Sequence, residues 1–363
     1  MNCKRFLSNI PIKNVWVFIT DICNLNCDYC FFKYRKNKQT LSEGQIKSLL
    51  GVLPKNKVCD LVVSGGEPLM VWDRVKFLFD LADSLFSRRI FTIQSNMYLW
   101  DEDKIKYVKD MAISVEPGLD GMLDTNQQHR LGITQENYER YLSNIRDVIQ
   151  SGIDINPTMT VHPSEVDKMK ANFWFLVEHG FHDVEVHPAF LAPWTDEAKD
   201  RFLVNYKDLL IWELRKRKEL RKWDGKVYIG KMYSFPTGYG IDLVVQPNGR
   251  VLPNWTLLSF PEEIREKFVI MEIDEDDCRL REDVLIGYVK KLMEFFKGGS
   301  RTYRDFSNFN AQLAMDLLRD NDQLRKQFLV YKELTEEIIE MEQPIVLREV
   351  KYERSKIRGY EGR

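Results

Sequence analysis

The sequence predicts a parallel α/β fold with a smaller C-terminal α+β extension. To about residue 222, short runs rich in Val and Ile alternate six times with amphipathic stretches of helical length. After Trp223-Asp224-Gly225 the alternation gives way to small strands around glycine turns, then to long helical stretches. A chain of 363 residues has room for a barrel-like domain and an appendage. The expected division is 1–223 for the barrel-like unit, 224–350 for the extension and 351–363 for a polar, frayed tail.

Strands are placed at 15–20, 58–63, 90–94, 112–115, 153–161 and 184–187, each short and β-branched. Helices fall near 41–53, 72–87, 101–110, 134–151, 165–180 and 196–222, where apolar residues recur at three and four. The last carries Leu203, Tyr206, Leu210 and Leu214 as its buried stripe. Its basic end, Arg215 to Lys218 with Arg221 and Lys222, reads as a solvated face that suits the helix dipole, with a phosphate or peptide site as the alternative. In the extension, Tyr228, the Gly238-Tyr239-Gly240 turn and 244–252 around Pro247-Asn248-Gly249 read as small strands and a hairpin. The acidic run 272–277 leads into helices near 281–297 and 303–341, the latter with Phe306, Phe309, Leu313 and Leu317 at helical spacing.

Hydrophobic residues make up 44% and charged residues 30%, which excludes a disordered or collagen-like chain. Fifty-three Lys and Arg against 55 Asp and Glu argue against a dedicated nucleic-acid binder. No apolar run is long enough for a signal peptide or a membrane span, so a cytoplasmic protein without a membrane partner is expected.

Cys23-Asn24-Leu25-Asn26-Cys27-Asp28-Tyr29-Cys30 sets three thiols at CxxxCxxC spacing directly after the first strand, at the end where parallel α/β folds gather their sites. Cys3, Cys59 and Cys278 are scattered, and a disulfide framework would not crowd the other three into eight residues. Clustered thiols in a reducing compartment point to metal binding. Three thiolates on a short loop can hold a cubane and leave one iron open for a small molecule. The spacing alone leaves open a zinc knuckle completed by a distant His or Cys.

With an aromatic residue before its last cysteine, this motif resembles the signature of the radical S-adenosylmethionine (SAM) superfamily. Ser64-Gly65-Gly66-Glu67-Pro68 resembles the family's GGEP turn, whose backbone and Glu hold the amino group of the cofactor's methionine part. Gln94-Ser95-Asn96 resembles its TN-type element, and Ile113-Ser114-Val115-Glu116 its ribose-contacting position. Taken singly, each reads as a turn or a helix cap. Together, at successive strand ends, they imply a partial (β/α)6 TIM-like barrel over about 14–222. They also imply one [4Fe-4S] cluster on Cys23, Cys27 and Cys30, with SAM bound by Gly65, Gly66, Glu67, Asn96 and Ser114 or Glu116.

Residues 121–160 resemble the peptide-modifying subgroup that carries SPASM or Twitch extensions. There His129-Arg130 implies a guanidinium paired with the cofactor carboxylate, against a plain surface ion pair. Residues 244–254 resemble the opening hairpin of those extensions, but Asn254 stands where a cluster-binding cysteine normally follows the proline. Cys59 and Cys278 are too few for an auxiliary cluster.

Asp28 and Tyr29 are expected to shape the cysteine loop, with Tyr29 also covering adenine. Thr160 and His187, near the ends of strands five and six, are expected to face the same mouth and touch adenine or substrate. A capping hydroxyl and a satisfied core histidine are their plain alternatives. His162, His179 and His182 form no pattern in the sequence.

The resemblance implies reductive cleavage of SAM to a 5′-deoxyadenosyl radical and hydrogen abstraction from a ribosomally made peptide, giving epimerisation or a crosslink. An electron donor such as flavodoxin or ferredoxin is the implied partner. A small metabolite as substrate is one alternative, and a noncatalytic iron-sulfur or zinc protein is another. Against the peptide reading, a first strand near residue 15 means that no N-terminal leader-binding domain is expected. Cys278, the extension's lone cysteine, is expected either to reach over the mouth as a catalytic hydrogen donor or to fill the core.

Overall fold

The computed structural model describes residues 3–8, 12–32, 38–55, 59–181, 184–220, 236–237, 241–296, 301–318 and 321–360. Six parallel strands build the first unit: β1 (Ile12–Phe18), β2 (Cys59–Ser64), β3 (Arg89–Ser95), β4 (Ser114–Pro117), β5 (Thr158–Val161) and β6 (Glu185–Pro188). β1 to β4 pair in that order, single bridges Val115–Ile155 and Gly118–Thr158 carry the parallel arrangement to β5, and β5 pairs with β6. Along each strand one face is sealed: Val17, Leu61, Val63, Ile93, Val115, Met159 and Val186 are buried. The other face carries half-buried Gln94, Glu116, Thr158, Thr160, Glu185 and His187, which line the inside of the curved sheet.

The outer layer is α1 (Glu43–Val52), α2 (Trp72–Leu85), α3 (Glu102–Asp110), α4 (Gln135–Gln150), α5 (Met169–Glu178) and α6 (Asp196–Leu220). Their starts are chemically marked. Ser42 and Gln45 exchange hydrogen bonds at 3.0 Å in a capping box before α1, Thr134 and Asn137 do the same before α4, and Asp101 caps α3. Their buried stripes follow the helical period, as in Val75, Leu78, Phe79 and Ala82 of α2. Leu203, Tyr206 and Leu210 of α6 are buried as expected, whereas the side chains of Leu214 and 216–222 lie outside the described residues.

Two strand placements shift. The fourth strand starts at Ser114 because Ala112 turns through a left-handed φ of 52°. The fifth is only Thr158–Val161, because Pro157 just before it has no N–H to give a ladder.

The extension continues the same sheet. β7 (Ile241–Val245) lies parallel to β1, with Trp16 beside Val244 and Val17 beside Val245. β8 (Arg250–Leu252), β9 (Met271–Ile273) and β10 (Cys278–Leu280) then add antiparallel, giving the order β10-β9-β8-β7-β1-β2-β3-β4. The acidic run is therefore a hairpin, closed by the Asp274 N–H on the Asp277 carbonyl at 2.9 Å. The helix expected over 303–341 is two, Tyr303–Met315 and Asp322–Tyr360, the second started by Asn321, whose side chain accepts from Leu324 N. That second helix takes in most of the expected polar tail. Tyr228 and the Gly238-Tyr239-Gly240 turn lie outside the described residues, as does the side chain of Phe306.

Gly249 closes the β7–β8 hairpin at φ 79°, and a Cβ there would run into the Ile273 carbonyl oxygen. Gly249→Ala is expected to destabilise the fold by about 1–3 kcal/mol, read as a lower denaturation midpoint with unchanged slope.

Candidate functional site

The six strands end at Phe18, Ser64, Ser95, Pro117, Val161 and Pro188, and the cysteine loop leaves the first of these ends. Its entry is strapped to the turn after β2. Gly66 N donates to the Thr20 carbonyl at 2.7 Å and Glu67 N to the Ile22 carbonyl at 2.8 Å. Gly65 sits at φ 147°, and a Cβ on Gly65 or Gly66 would strike the Thr20 or Ile22 carbonyl oxygen. Both glycines are thus required by the close approach of two backbones.

Glu67 turns inward with no exposed surface. Its Oε1 accepts from Leu69 N and from Ser95 Oγ at 3.0 Å, and its Oε2 from Asn96 N at 2.8 Å. Burial pushes its carboxyl up to about 7, against the pull of those donors. Asn96 continues the chain of contacts, its Nδ2 donating to Asn24 Oδ1 at 2.6 Å and lying 4.0 Å from Cys23 Sγ. Glu67 therefore ties the third strand's end to the turn, and Asn96 ties that end to the cysteine loop.

A second anchorage comes from residues 120–131, where a short helix (Leu123–His129) leads into a two-residue ladder. Asn26 and Cys27 pair antiparallel with Leu131 and Arg130, and Asp28 N donates to the His129 carbonyl at 3.0 Å. Arg130 is buried, with Nε and Nη2 each 2.9 Å from an Asp120 oxygen. Asp120 also accepts from Thr160 N at 3.1 Å and from the Tyr29 hydroxyl, which burial above all keeps protonated. Arg130 is thus an interior ion pair rather than a surface one, and two of its N–H groups are taken by Asp120. The sequence reading missed Asp120, since an Asp before a Gly has the look of a turn.

It also set His162 aside. His129 Nδ1 lies 2.9 Å from Asp28, its Nε2 lies 3.1 Å from Ser164 Oγ, and His162 stacks on its ring at 4.1 Å. Ser164 N donates to His162 Nδ1 at 3.3 Å, which leaves the proton of the neutral ring on Nε2. Burial, then His129, lowers the pKa of His162. With Asp28, Tyr29 and the 190–193 loop, His162 lines a cleft of about 250 Å3.

Of the remaining expected residues, Glu116 accepts from Gln94 Nε2 at 2.9 Å on the inner face. Thr160 and His187 stand opposite each other on that face, and His187 Nε2 is 3.4 Å from Glu185. Ser114 is corrected: it opens β4, bonded to Asp154 at 3.0 Å, so it is at the other end of its strand from the mouth. Of the two readings of Cys278, its place in the fold favours a packing role over a donor at the mouth. It opens the outermost strand, four places from β1, where Cys3 Sγ donates to its carbonyl at 2.8 Å. The hairpin carries it to the sheet's edge, and burial, then the neighbouring Cys3 thiol, raises its pKa.

Among the described residues, the only trio of ligand atoms within 4.8 Å of one another is Asp28, His129 and His162, so the three cysteine sulfurs are more widely spread. A single zinc with Zn–S near 2.3 Å would hold thiolates about 3.8 Å apart. Three thiolates on one short loop suit a cubane, which would leave its fourth iron open. Burial pushes the Cys27 thiol up to about 12, so iron there would supply the charge that keeps it a thiolate.

Residues 17–173 match the family model described as the radical SAM superfamily. They are a radical SAM domain. The sporulation killing factor maturation protein SkfB of Bacillus subtilis is 26% identical over 153 residues, 42% of this chain and 36% of that protein. A cysteine-type anaerobic sulfatase-maturating enzyme of Clostridium novyi is 24% identical over 200 residues, 51% of this chain and 53% of that one. The chain therefore matches only about a third to a half of these relatives' length. Among solved structures, native anSMEcpe with bound AdoMet superimposes with a TM-score of 0.63 over 92% of this chain and 98% of that one at 16% identity. Streptococcus suis SuiB bound to precursor peptide SuiA gives 0.51 over 70% and 62% at 15% identity. At these identities the likeness is one of fold: the radical SAM partial barrel.

Two outcomes are expected of the radical SAM domain's straps. Gly66→Ala, which must push the turn off Ile22, should lower iron retention on reconstitution at least several-fold. For Glu67, the folded chain keeps a proton between about pH 4.5 and 7 that the unfolded chain has lost, so stability falls as pH rises through that window. Glu67→Gln should remove that slope, of up to roughly 1.4 kcal/mol per pH unit. At pH 4.5, where the wild-type carboxyl keeps its proton, it should cost about 1–3 kcal/mol because its amide would face Asn96 N–H, and this gap should close as pH rises. Denaturant midpoints measured from pH 4.5 to 7.5 check both effects.

Proposed function

We propose that the chain is a radical SAM enzyme that holds one [4Fe-4S] cluster on Cys23, Cys27 and Cys30 and modifies a ribosomally made peptide. The observation that carries this reading is the set of three cysteines on a loop strapped to the GGEP turn at the mouth of a parallel barrel. When bound, the cluster and SAM supply a 5′-deoxyadenosyl radical by one-electron reductive cleavage, and that radical takes a hydrogen from the substrate. A flavodoxin or ferredoxin is the proposed source of the electron.

The chain's own residues orient and shield. Gly65 and Gly66 let the turn lie against the Thr20 and Ile22 backbone, which holds it at the mouth where the cofactor's methionine part would bind. Glu67 fixes that turn against Ser95 and Asn96, while Tyr29 and His162 wall the cleft beside the loop. Gln94, Glu116, Thr160 and His187 offer polar contacts inside the barrel for cofactor ribose and substrate. The peptide reading is supported by neighbours of the same fold: anSMEcpe binds the Kp18Cys and Cp18Cys peptides, and SuiB its precursor peptide SuiA.

One cluster is expected rather than two. Asn254 is buried and knotted, its Oδ1 accepting from Thr256 N at 2.9 Å and its Nδ2 donating to Asp242 at 3.4 Å. Anaerobic reconstitution should give about four irons per chain. With dithionite and SAM the protein should release 5′-deoxyadenosine. Cys23→Ala/Cys27→Ala/Cys30→Ala should lose both properties, and iron near eight, or a cluster surviving in the triple variant, would overturn the reading.

A further inference from the structure

The buried Asp120–Arg130 pair neighbours the second cysteine through the short ladder. Arg130 is the cross-strand partner of Cys27 in the short ladder, and side chains directly opposite in an antiparallel pair leave the same face about 5 Å apart. The guanidinium stands over the Tyr29 ring at 5.7 Å, and its Nε and Nη2 are held by Asp120. A Cβ on Gly118 would crowd Nη1, so the absence of a side chain there makes room for the fork. Asp120 also takes Tyr29 and Thr160 N, so one carboxylate fixes the cysteine loop, the arginine and the fifth strand.

We infer that Asp120 and Arg130 are positioning residues that set the field at the cluster: the cation beside Cys27 makes the cluster easier to reduce, and Asp120 holds that cation in place and offsets it. The inference rests on the cluster assignment above and adds to it. In a poorly screened interior, a charge this close acts strongly on a group that changes charge by one electron.

The test is potentiometric, on reconstituted protein titrated with dithionite or titanium citrate and followed by the EPR signal of the reduced cluster. Asp120→Asn leaves the cation uncompensated and should move the midpoint positive. Arg130→Gln leaves the carboxylate alone and should move it negative. The doubly neutral Asp120→Asn/Arg130→Gln should return close to wild type. Opposite signs are what a purely structural role cannot give, because loosening the loop by either route acts in the same direction. Shifts of the same sign, or no shift with four irons retained, would overturn the inference. If a single variant does not fold, the other carries the sign test; if neither folds, a displaced midpoint in the double variant would overturn it. About four irons in wild type, checked first, separates failure here from failure of the cluster assignment.

Discussion

Two hydrogen bonds between backbones, Gly66 N to Thr20 O and Glu67 N to Ile22 O, are the constraint on which the site depends. They join the segment that enters the cysteine loop to the turn that follows β2, so the first cysteine and the GGEP turn cannot move separately. Neither strand end could accept the other with a side chain between them, which is why two glycines stand together here. The buried Glu67 carboxylate extends the same join to β3 through Ser95 and Asn96. A loop of eight residues with little secondary structure thereby gains the rigidity of three parallel strands, as a site that must hold its geometry requires.

The far side of the loop is held by charge. A buried ion pair is expensive to desolvate, and the Asp120–Arg130 pair offsets that cost through a two-pronged contact and two further donors, from Thr160 and Tyr29. Apolar residues could fill the same volume and match its stability. They could not grip a tyrosine hydroxyl, an amide and an arginine at once, which makes geometry and field, rather than stability, the reason for a carboxylate here.

The alternation of strands and helices was legible because burial beneath a helical layer demands Val and Ile at regular intervals, and all six strands lie within a few residues of where the sequence puts them. The cysteine loop and the GGEP turn were legible as local spacing. What escaped was assembled at long range. Asp120 draws its donors from 10, 40 and 91 residues away, and nothing local distinguishes it from the aspartate of a turn. Ser114 was misplaced because the left-handed turn at Ala112 is invisible in an apolar run. The choice between the two readings of Cys278 stayed open because a strand pattern does not say which edge of a sheet it joins.

The extension shows the same logic at its own scale. Because β7 lies parallel to β1, its hairpin is a continuation of the barrel's sheet, and 254 falls in a fully buried position against that sheet. A thiol there would need a cluster to share it. Asn254 instead bonds Thr256 and Asp242, and Asp242 in turn accepts from Asn14 of β1 at 3.1 Å. Hard oxygens and amides in such a knot satisfy one another and have little affinity for iron or sulfide. The substitution therefore replaces what a metal centre would do for packing with hydrogen bonds to the first strand, and it leaves the cysteine loop as the one place in the described structure where thiols gather for a cluster.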